Sequence, residues 1–385
     1  MDGSQAVLAV TIAGAFVFGM VIVLLSCLKP QLAGQLNVPE ERVTGLWAGM
    51  NLILVPMAFL GGLLCDLWDV RAVFVLGCVL IALALLGLRW ATSYRAALLA
   101  FLVTGIGGGF LSTASIVLMP AAFFGRHEAS ASLNMGNVFF ALGALVAPTL
   151  CDVLLRASGF RRTLGAGALL CLIPLVLIAF VSKEDANIGQ SRPDLLMLLR
   201  DPMLWLAGAV FFLYAPLEGC LHTWGSTYLQ NVGHSERKAA HLIAGFWSCF
   251  LLGRLVMAYF QHWRILDERW DPWVVVLLAL GATVTLANLA GTVKRGSATT
   301  GLLLLGFFLG PIFPTLIGFL FSMYPNAPGT SFGTMFAIGS AGSVVFAPVI
   351  GARFHRQSAH RALRIPLFLG MLLMIVALFL GLAMG

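Results

Sequence analysis

Residues 211–229 read FFLYAPLEGCLHTWGSTYL, an apolar run long enough to cross a membrane as a helix. Glu218 lies in the middle of this run. Because a carboxyl group at that depth is costly, we first interpret it as a functional group. A helix places Tyr214, Glu218 and Leu221 on one face, and Pro216 removes a backbone donor and should loosen the helix beside it. We expect the rest of the chain to form a scaffold around this face.

The composition is that of a membrane protein. Of 385 residues, 60% are hydrophobic and 10% are charged, whereas about a quarter of a soluble globular protein is charged. Apolar runs of about 20 residues recur over the whole length, which is the signal of transmembrane helices. A soluble enzyme is therefore excluded. No small-residue cleavage site follows the first run, so we expect a retained first helix and not a signal peptide.

The apolar runs predict an all-α protein with twelve transmembrane helices. The predicted spans are residues 5–28, 44–65, 71–90, 95–120, 130–153, 163–181, 203–229, 238–260, 272–291, 298–324, 329–352 and 363–384. The longest polar interruption, residues 182–202, divides them six and six. We therefore predict an N-terminal half at 1–181, a cytoplasmic linker at 182–202 and a C-terminal half at 203–385.

An internal repeat supports two halves. Three short patterns recur in order, each at an offset of 200 or 201 residues: Gly45-Leu-Trp47 as Gly245-Phe-Trp247, Gly105-x-x-x-Gly109 as Gly306-x-x-x-Gly310, and Ala147-Pro148 as Ala347-Pro348. Parallel repeats of this kind place a solute site between the halves near the bilayer midplane. At an offset of 200, Glu218 corresponds to Phe18, so the carboxyl belongs to one half only.

The loop after the second span reads GLLCDLWDVR from Gly62. Together with the two sets of six helices, it resembles the signature of the major facilitator superfamily. Gly62, Asp66 and Arg71 match that signature, whereas Leu67 replaces a usual basic residue and Asp69 a usual glycine. The resemblance implies the major facilitator fold, in which this motif acts as a gating latch between the cytoplasmic ends of neighbouring helices. The two departures imply a weaker latch here.

Two further stretches resemble the fucose/glucose/galactose–proton symporter branch. Residues 133–148, LNMGNVFFALGALVAP, are similar to its fifth helix, with Asn137 in place of a His or Gln. Tyr214-Ala-Pro-Leu-Glu218 followed by Trp224 is similar to its seventh helix, with a proline in place of a glycine. Gly253-Arg254 matches a pair that is common in the eighth helix. The resemblance implies a sugar as the substrate.

The candidate solute-binding residues are Tyr214, Glu218, Asn134, Asn137 and Trp224. An apolar cavity favours the neutral form of Glu218, so this group can carry a proton, and as a carboxylate it can accept hydrogen bonds from solute hydroxyls. The alternative is a structural carboxyl paired with Arg254 or with a helix end. Asn134 and Asn137 lie three residues apart, and their alternative role is to bond neighbouring helices.

His222 and Arg254 complete the set of candidate site residues. His222, four residues after Glu218, is a candidate proton relay, and its alternative role is a plain hydrogen bond to a neighbour. Arg254 lies deep in the eighth span, where a guanidinium must be paired or hydrated. We assign Arg254 to gating by pairing, in preference to substrate contact, together with Gly62, Asp66 and Arg71.

Several other functions are not expected from the sequence. The seven cysteines show no close metal-type spacing, so we interpret them as packing residues and expect no metal or cofactor. Gly105–Gly109 lies in a span without a following Lys-Ser/Thr, which excludes a phosphate-binding loop. No nucleophile–base pair suggests an enzyme, and the scattered basic residues suggest no nucleic acid. The resemblance implies a single chain as the working unit.

The sequence therefore predicts a secondary active transporter of the cell (inner or plasma) membrane. We expect proton-coupled uptake of a small polar solute, such as a monosaccharide, by alternating access. The alternatives are a proton-coupled antiporter that exports drugs or metabolites, and an organic-anion transporter. With both termini cytoplasmic, as the resemblance implies, the outer loops carry more Lys and Arg than the inner ones, opposite to the usual bias. A basic outer face would attract anionic solutes.

Overall fold

The computed structural model describes residues 3–186, 194–291, 294–356 and 359–384. The helices of the first part are α1 Gly3–Cys27, α2 Lys29–Leu36, α3 Glu40–Leu67, α4 Val70–Trp90, α5 Tyr94–Ala122, α6 Ala129–Leu170, α7 Leu172–Leu177, α8 Lys183–Ala186 and α9 Leu195–Arg200. They are followed by α10 Pro202–Asn231, α11 Glu236–His262, α12 Asp271–Gly291, α13 Arg295–Leu309, α14 Ile312–Met323, α15 Pro328–Arg356, α16 Ala359–Ala362 and α17 Arg364–Leu382.

The helical pattern confirms the all-α membrane fold. In the described residues, 11 helical stretches are long and apolar enough to cross a membrane. One of them, Ala129–Phe180, has 52 residues and contains both the fifth and the sixth predicted spans. The tenth predicted span is divided into α13 and α14. The twelve predicted spans are therefore all helical.

The fifth and sixth spans turn back on each other at one glycine. The predicted spans 130–153 and 163–181 leave residues 154–162 between them, but helix continues on both sides of Gly159, whose φ is 76° and ψ 172°. Before this residue, Cys151 lies near Cys27 of α1; after it, Gly167 packs against Leu24 of the same helix. The chain therefore reverses direction at Gly159. Glycine adopts this positive φ without the penalty that a Cβ would bring.

The chain divides into two compact units. Unit 1 comprises Met1–Pro193 together with Tyr324–Gly333, and unit 2 comprises Asp194–Met323 together with Thr334–Gly385. The boundary after Pro193 lies within residues 182–202, the predicted linker. The first residues of α15 belong to unit 1 and the remainder to unit 2.

In unit 1, glycines bring helix backbones into direct contact. A Cβ on Gly19 of α1 would overlap the backbone oxygen of Phe140 in α6, and one on Gly143 of α6 would overlap that of Phe16. Small residues permit this close approach, which membrane helices use because apolar burial does not drive their association. At such close approaches, Cα–H groups commonly form weak hydrogen bonds with the facing carbonyl oxygens.

Unit 2 repeats the arrangement of α1 and α6 in α10 and α15. A Cβ on Gly342 of α15 would overlap the backbone oxygen of Phe212 in α10, as Gly143 meets Phe16 in unit 1. The offset between the two oxygens is 212 − 16 = 196. Glu218 therefore corresponds to Ile22 (218 − 196), not to Phe18 as the uniform offset predicts. Both positions are apolar, so the carboxyl is still a feature of one half.

Candidate functional site

Helix α10 carries the central carboxyl and runs unbroken through its proline. The expected loosening at Pro216 is not seen, because α10 is one helix from Pro202 to Asn231. The missing N–H of Pro216 instead leaves the carbonyl of Phe212 without its partner four residues on. This is the carbonyl that Gly342 of α15 meets. The proline thus creates the place at which α15 approaches α10.

The predicted face of α10 is buried within unit 2. Tyr214, Leu221 and Tyr228 are at most 4% exposed, while Glu218 between them is half-buried. The Tyr228 hydroxyl donates to the backbone oxygen of Leu289 in α12, at 2.9 Å. The two tyrosines of this face are therefore fixed in the packed core of unit 2, whereas Glu218 retains access from outside that core.

Glu218, Tyr214 and Arg254 form a polar cluster inside unit 2. The hydroxyl of Tyr214 lies close enough to the carboxyl of Glu218 to interact with it. Arg254 of α11, which is 4% exposed, interacts electrostatically with both. Its guanidinium also lies over the ring of Phe250, at 4.5 Å from the ring centre. The sequence left two roles open for Glu218, a structural carboxyl paired with Arg254 and a functional carboxyl. Both roles therefore concern this one cluster.

The cluster is joined to the break between α13 and α14. Pro314 has no N–H, so the carbonyl of Gly310 lacks a helical donor. The Nε of Arg254 donates to this carbonyl at 2.9 Å. The hydroxyl of Tyr214 donates to the neighbouring carbonyl of Leu309 at 3.1 Å. Two side chains of the cluster thus donate hydrogen bonds to backbone carbonyls at the break between α13 and α14.

A second proline fixes the packing of this break. Pro311 lacks the N–H that would bond the carbonyl of Phe307, and a Cβ on Gly253 of α11 would overlap that oxygen. Gly253 therefore allows α11 to approach the freed carbonyl. Gly253-Arg254 and Gly306-x-x-x-Gly310 stand out in the sequence, but we predicted no role for the prolines at 311 and 314. The spacing Gly310-Pro-x-x-Pro314 was the available signal.

Asn134 and Asn137 lie together in unit 1, both buried. Each amide donates to a carbonyl four residues earlier in its own helix: Asn134 to Ser130 at 3.0 Å, and Asn137 to Leu133 at 2.9 Å. The Asn137 amide also contacts the sulfur of Met119 in α5, at 3.7 Å. In this arrangement the amides serve local bonds, and a solute hydroxyl would have to take their place.

Trp224 packs away from the cluster. Its ring stacks on Phe354 of α15 with centres 5.2 Å apart. It lies six residues after Glu218, which is about 240° further around the helix. The side chain of His222 lies outside the described part of the structure, so its predicted proton relay stays a prediction.

The motif at Asp66 holds the start of α15 within unit 1. The carboxylate accepts hydrogen bonds from the backbone N–H of Gly329 at 2.9 Å, and from the N–H and hydroxyl of Thr330 at 2.6 Å each. A carboxylate at a helix N-terminus also complements the helix dipole. A Cβ on Gly62 would overlap the backbone oxygen of Gly329. All these contacts form despite the departures from the family signature.

Asp69, which stands where the family signature usually has a glycine, forms contacts of its own. Its carboxylate accepts from the N–H of Arg71 at 2.9 Å, which caps α4, and pairs with the Arg71 guanidinium at 2.8 Å. Arg71 also donates to the carbonyl of Val181 at 2.9 Å. The pair therefore ties the start of α4 to the end of the sixth span.

Comparison with known proteins decides the family. The profile of the Major Facilitator Superfamily matches residues 10–347. The chain belongs to this superfamily. Protein TsgA of Escherichia coli is 22% identical over 308 residues, covering 78% of this chain and 75% of the relative. This protein is therefore a multi-pass membrane transporter, as its fold indicates.

Solved structures of the superfamily have the same fold. The E. coli fucose:proton symporter FucP superposes with a TM-score of 0.75 at 18% identity, over 98% of this chain and 99% of FucP. The human organic anion transporter MFSD10 gives a TM-score of 0.76 at 18% identity, over 98% of this chain and all of the other (100%). At such identities the similarity establishes the fold alone.

Proposed function

We propose that this superfamily member takes up a small polar solute together with a proton, with Glu218 as the proton carrier and a monosaccharide as the solute. The observation that carries the proposal is the cluster of Glu218, Tyr214 and Arg254 at the break between α13 and α14. An intramembrane carboxyl with a charged partner is the usual mark of a proton path. The fucose:proton symporter, which shares the fold, supports a sugar as the solute.

The single hydroxyl proton of Tyr214 links the protonation of Glu218 to the helix break. A protonated Glu218 can donate to the Tyr214 oxygen, which leaves the tyrosine proton for the Leu309 carbonyl. An ionised Glu218 accepts the tyrosine proton instead, and that carbonyl loses its donor. Ionisation also strengthens the attraction of Glu218 to Arg254. The two protonation states therefore favour different contacts at the break.

The other predicted residues take supporting roles in this proposal. Asn134 and Asn137 release their intrahelical bonds to bind solute hydroxyls, and Trp224 and His222 complete the predicted set. Gly62, Asp66, Arg71 and Arg254 act in gating. Protonation of Glu218 on the outside favours loading, and its ionisation inside favours release, as the halves 1–181 and 203–385 alternate. The protein works as a single chain in the cell membrane with cytoplasmic termini.

The test is proton movement into liposomes that contain the purified protein, followed with an entrapped pH dye while a panel of sugars is added. One sugar should drive proton entry, and Glu218→Gln should reduce that entry to the level of empty liposomes. Glu236→Gln, an exposed carboxyl in the first turn of α11, is the matched control and should leave it unchanged. Unchanged proton entry in Glu218→Gln would refute the role of this group.

An organic anion is the second candidate solute. The net charge is +7 and the human organic anion transporter MFSD10 shares the fold. The same liposome assay with an organic-anion panel separates the two candidates. Anion-driven proton entry without any response to sugars would identify an organic anion, not a sugar, as the solute. Efflux of preloaded solute against an inward proton gradient, with no uptake, would establish export in place of uptake.

A further inference from the structure

Two cysteine side chains meet where α1 ends. Cys27 is the last residue of α1, and Cys151 lies in the first arm of α6. Both are free cysteines, and their thiols lie close enough to interact with each other. From the sequence we interpreted all seven cysteines as packing residues because they show no close metal-type spacing, and 124 positions separate these two (151 − 27). The packing of the helices, not their spacing in sequence, brings them together.

The backbones of α1 and α6 hold this pair in register. Gly19 meets the backbone oxygen of Phe140, and Gly143 meets that of Phe16. From Phe16 to Cys27 and from Phe140 to Cys151 the distance along each helix is 11 residues (27 − 16 and 151 − 140). Eleven residues are about three turns, or roughly 16 Å. Each cysteine therefore lies on the contact face of its helix and at the same height as its partner.

The two thiols differ in their exposure to solvent. Cys27 is part-exposed at the end of the span, whereas Cys151 is 2% exposed. A dissolved reagent thus meets Cys27 first, with Cys151 directly behind it. This is the arrangement of an attacking and a resolving thiol in thiol–disulfide exchange.

We propose that Cys27 and Cys151 form a reversible disulfide when the protein meets a small disulfide oxidant. The Cys27 thiolate attacks the oxidant, forms a mixed disulfide and displaces one thiol. The Cys151 thiolate then attacks the Cys27 sulfur, forms the Cys27–Cys151 bond and displaces the second thiol. The protein loses two protons and two electrons, and the oxidant is reduced to two thiols. The bond would tie the end of α1 to α6 within unit 1.

The test uses 4,4′-dithiodipyridine as the oxidant on the purified full-length protein. After acid quenching, free thiols are alkylated in denaturant and the digest is analysed by mass spectrometry with and without reductant. We expect a Cys27–Cys151 linked peptide that disappears on reduction, with Cys78 and Cys171, both 0% exposed, alkylated throughout. The variant Cys151→Ser should instead retain a thiopyridine mixed disulfide on Cys27.

Two results would overturn the proposal. One is that the protein of native sequence carries a thiopyridine adduct on Cys27 while Cys151 is alkylated, because the second exchange would then not occur. The other is full alkylation of both after treatment, because Cys27 would then not react at all. Neither readout depends on the transported solute, so the test is independent of the proposed transport function.

Discussion

At the scale of single residues, Asp66 is the side chain with the clearest energetic role. Three hydrogen bonds reach its carboxylate from Gly329 and Thr330. Asp66→Asn removes the charge and replaces one acceptor oxygen by a donor, so at least one bond is lost. Bonds to a charged group contribute about 1.5–3 kcal/mol each. We expect a lower melting temperature in detergent, measured by thermal unfolding.

The control for Asp66 is Asp152→Asn in the same unit. Asp152 pairs with Arg156 at 2.9 Å, but both side chains are more than half exposed. Exposed pairs contribute little because water screens them. The melting temperature of this variant should equal that of the unmodified protein. An equal loss in both variants would show that Asp66 has no special role in holding α15.

A second residue-scale prediction concerns Tyr214. Tyr214→Phe keeps the buried ring but removes the hydroxyl that bonds Leu309 and lies near Glu218. The loss of one hydrogen bond should reduce the stability by about 1 kcal/mol. If the hydroxyl links the proton to the helix break, solute-driven proton entry in liposomes should fall much further than solute binding does. Tyr228→Phe, which loses the bond to Leu289, should affect stability alone.

At the scale of helices, glycine contacts predict where side chains are not tolerated. A Cβ on Gly143 would overlap the backbone of α1, whereas one on Gly87 of α4 would meet nothing within 4 Å. Gly143→Ala should therefore destabilise the protein by about 1–3 kcal/mol through forced separation of the helices. Gly87→Ala should be neutral or stabilising by about 0.5–1 kcal/mol, since alanine favours helix. Thermal unfolding of the two variants tests whether Gly143→Ala lowers the melting temperature and Gly87→Ala leaves it unchanged or raises it.

The sequence predicts helices well but not how they break and meet. Length and apolarity were enough for the twelve spans, and the repeat pointed to glycines that do form helix contacts. The carbonyls freed by Pro216, Pro311 and Pro314 could not be foreseen as contact points, because their partners on α11 and α15 are distant in sequence. The same limit applies to Cys27 and Cys151. Glu218 and Arg254 were identified singly, but their shared link to Leu309 and Gly310 required the fold.

At the scale of the whole molecule, the sidedness of the chain can be measured directly. Lys238 and Arg200 are both exposed and lie on opposite predicted sides, outside and cytoplasmic respectively. Lys238→Cys should react with a membrane-impermeant maleimide in intact cells, above the background of the native cysteines. Arg200→Cys should react only after permeabilisation. The reverse pattern would show that the chain is inverted, in agreement with the usual distribution of basic residues.

The glycine hinge at Gly159 has a consequence for how the protein is made. With helix on both sides of this residue, the 52 residues from Ala129 to Phe180 are too long to cross the bilayer once, and the segment around Gly159 carries Arg156, Arg161 and Arg162. The fifth and sixth spans therefore form a helical hairpin whose charged tip is kept out of the hydrocarbon region. Because so short a tip separates the two spans, we expect them to enter the membrane as a pair.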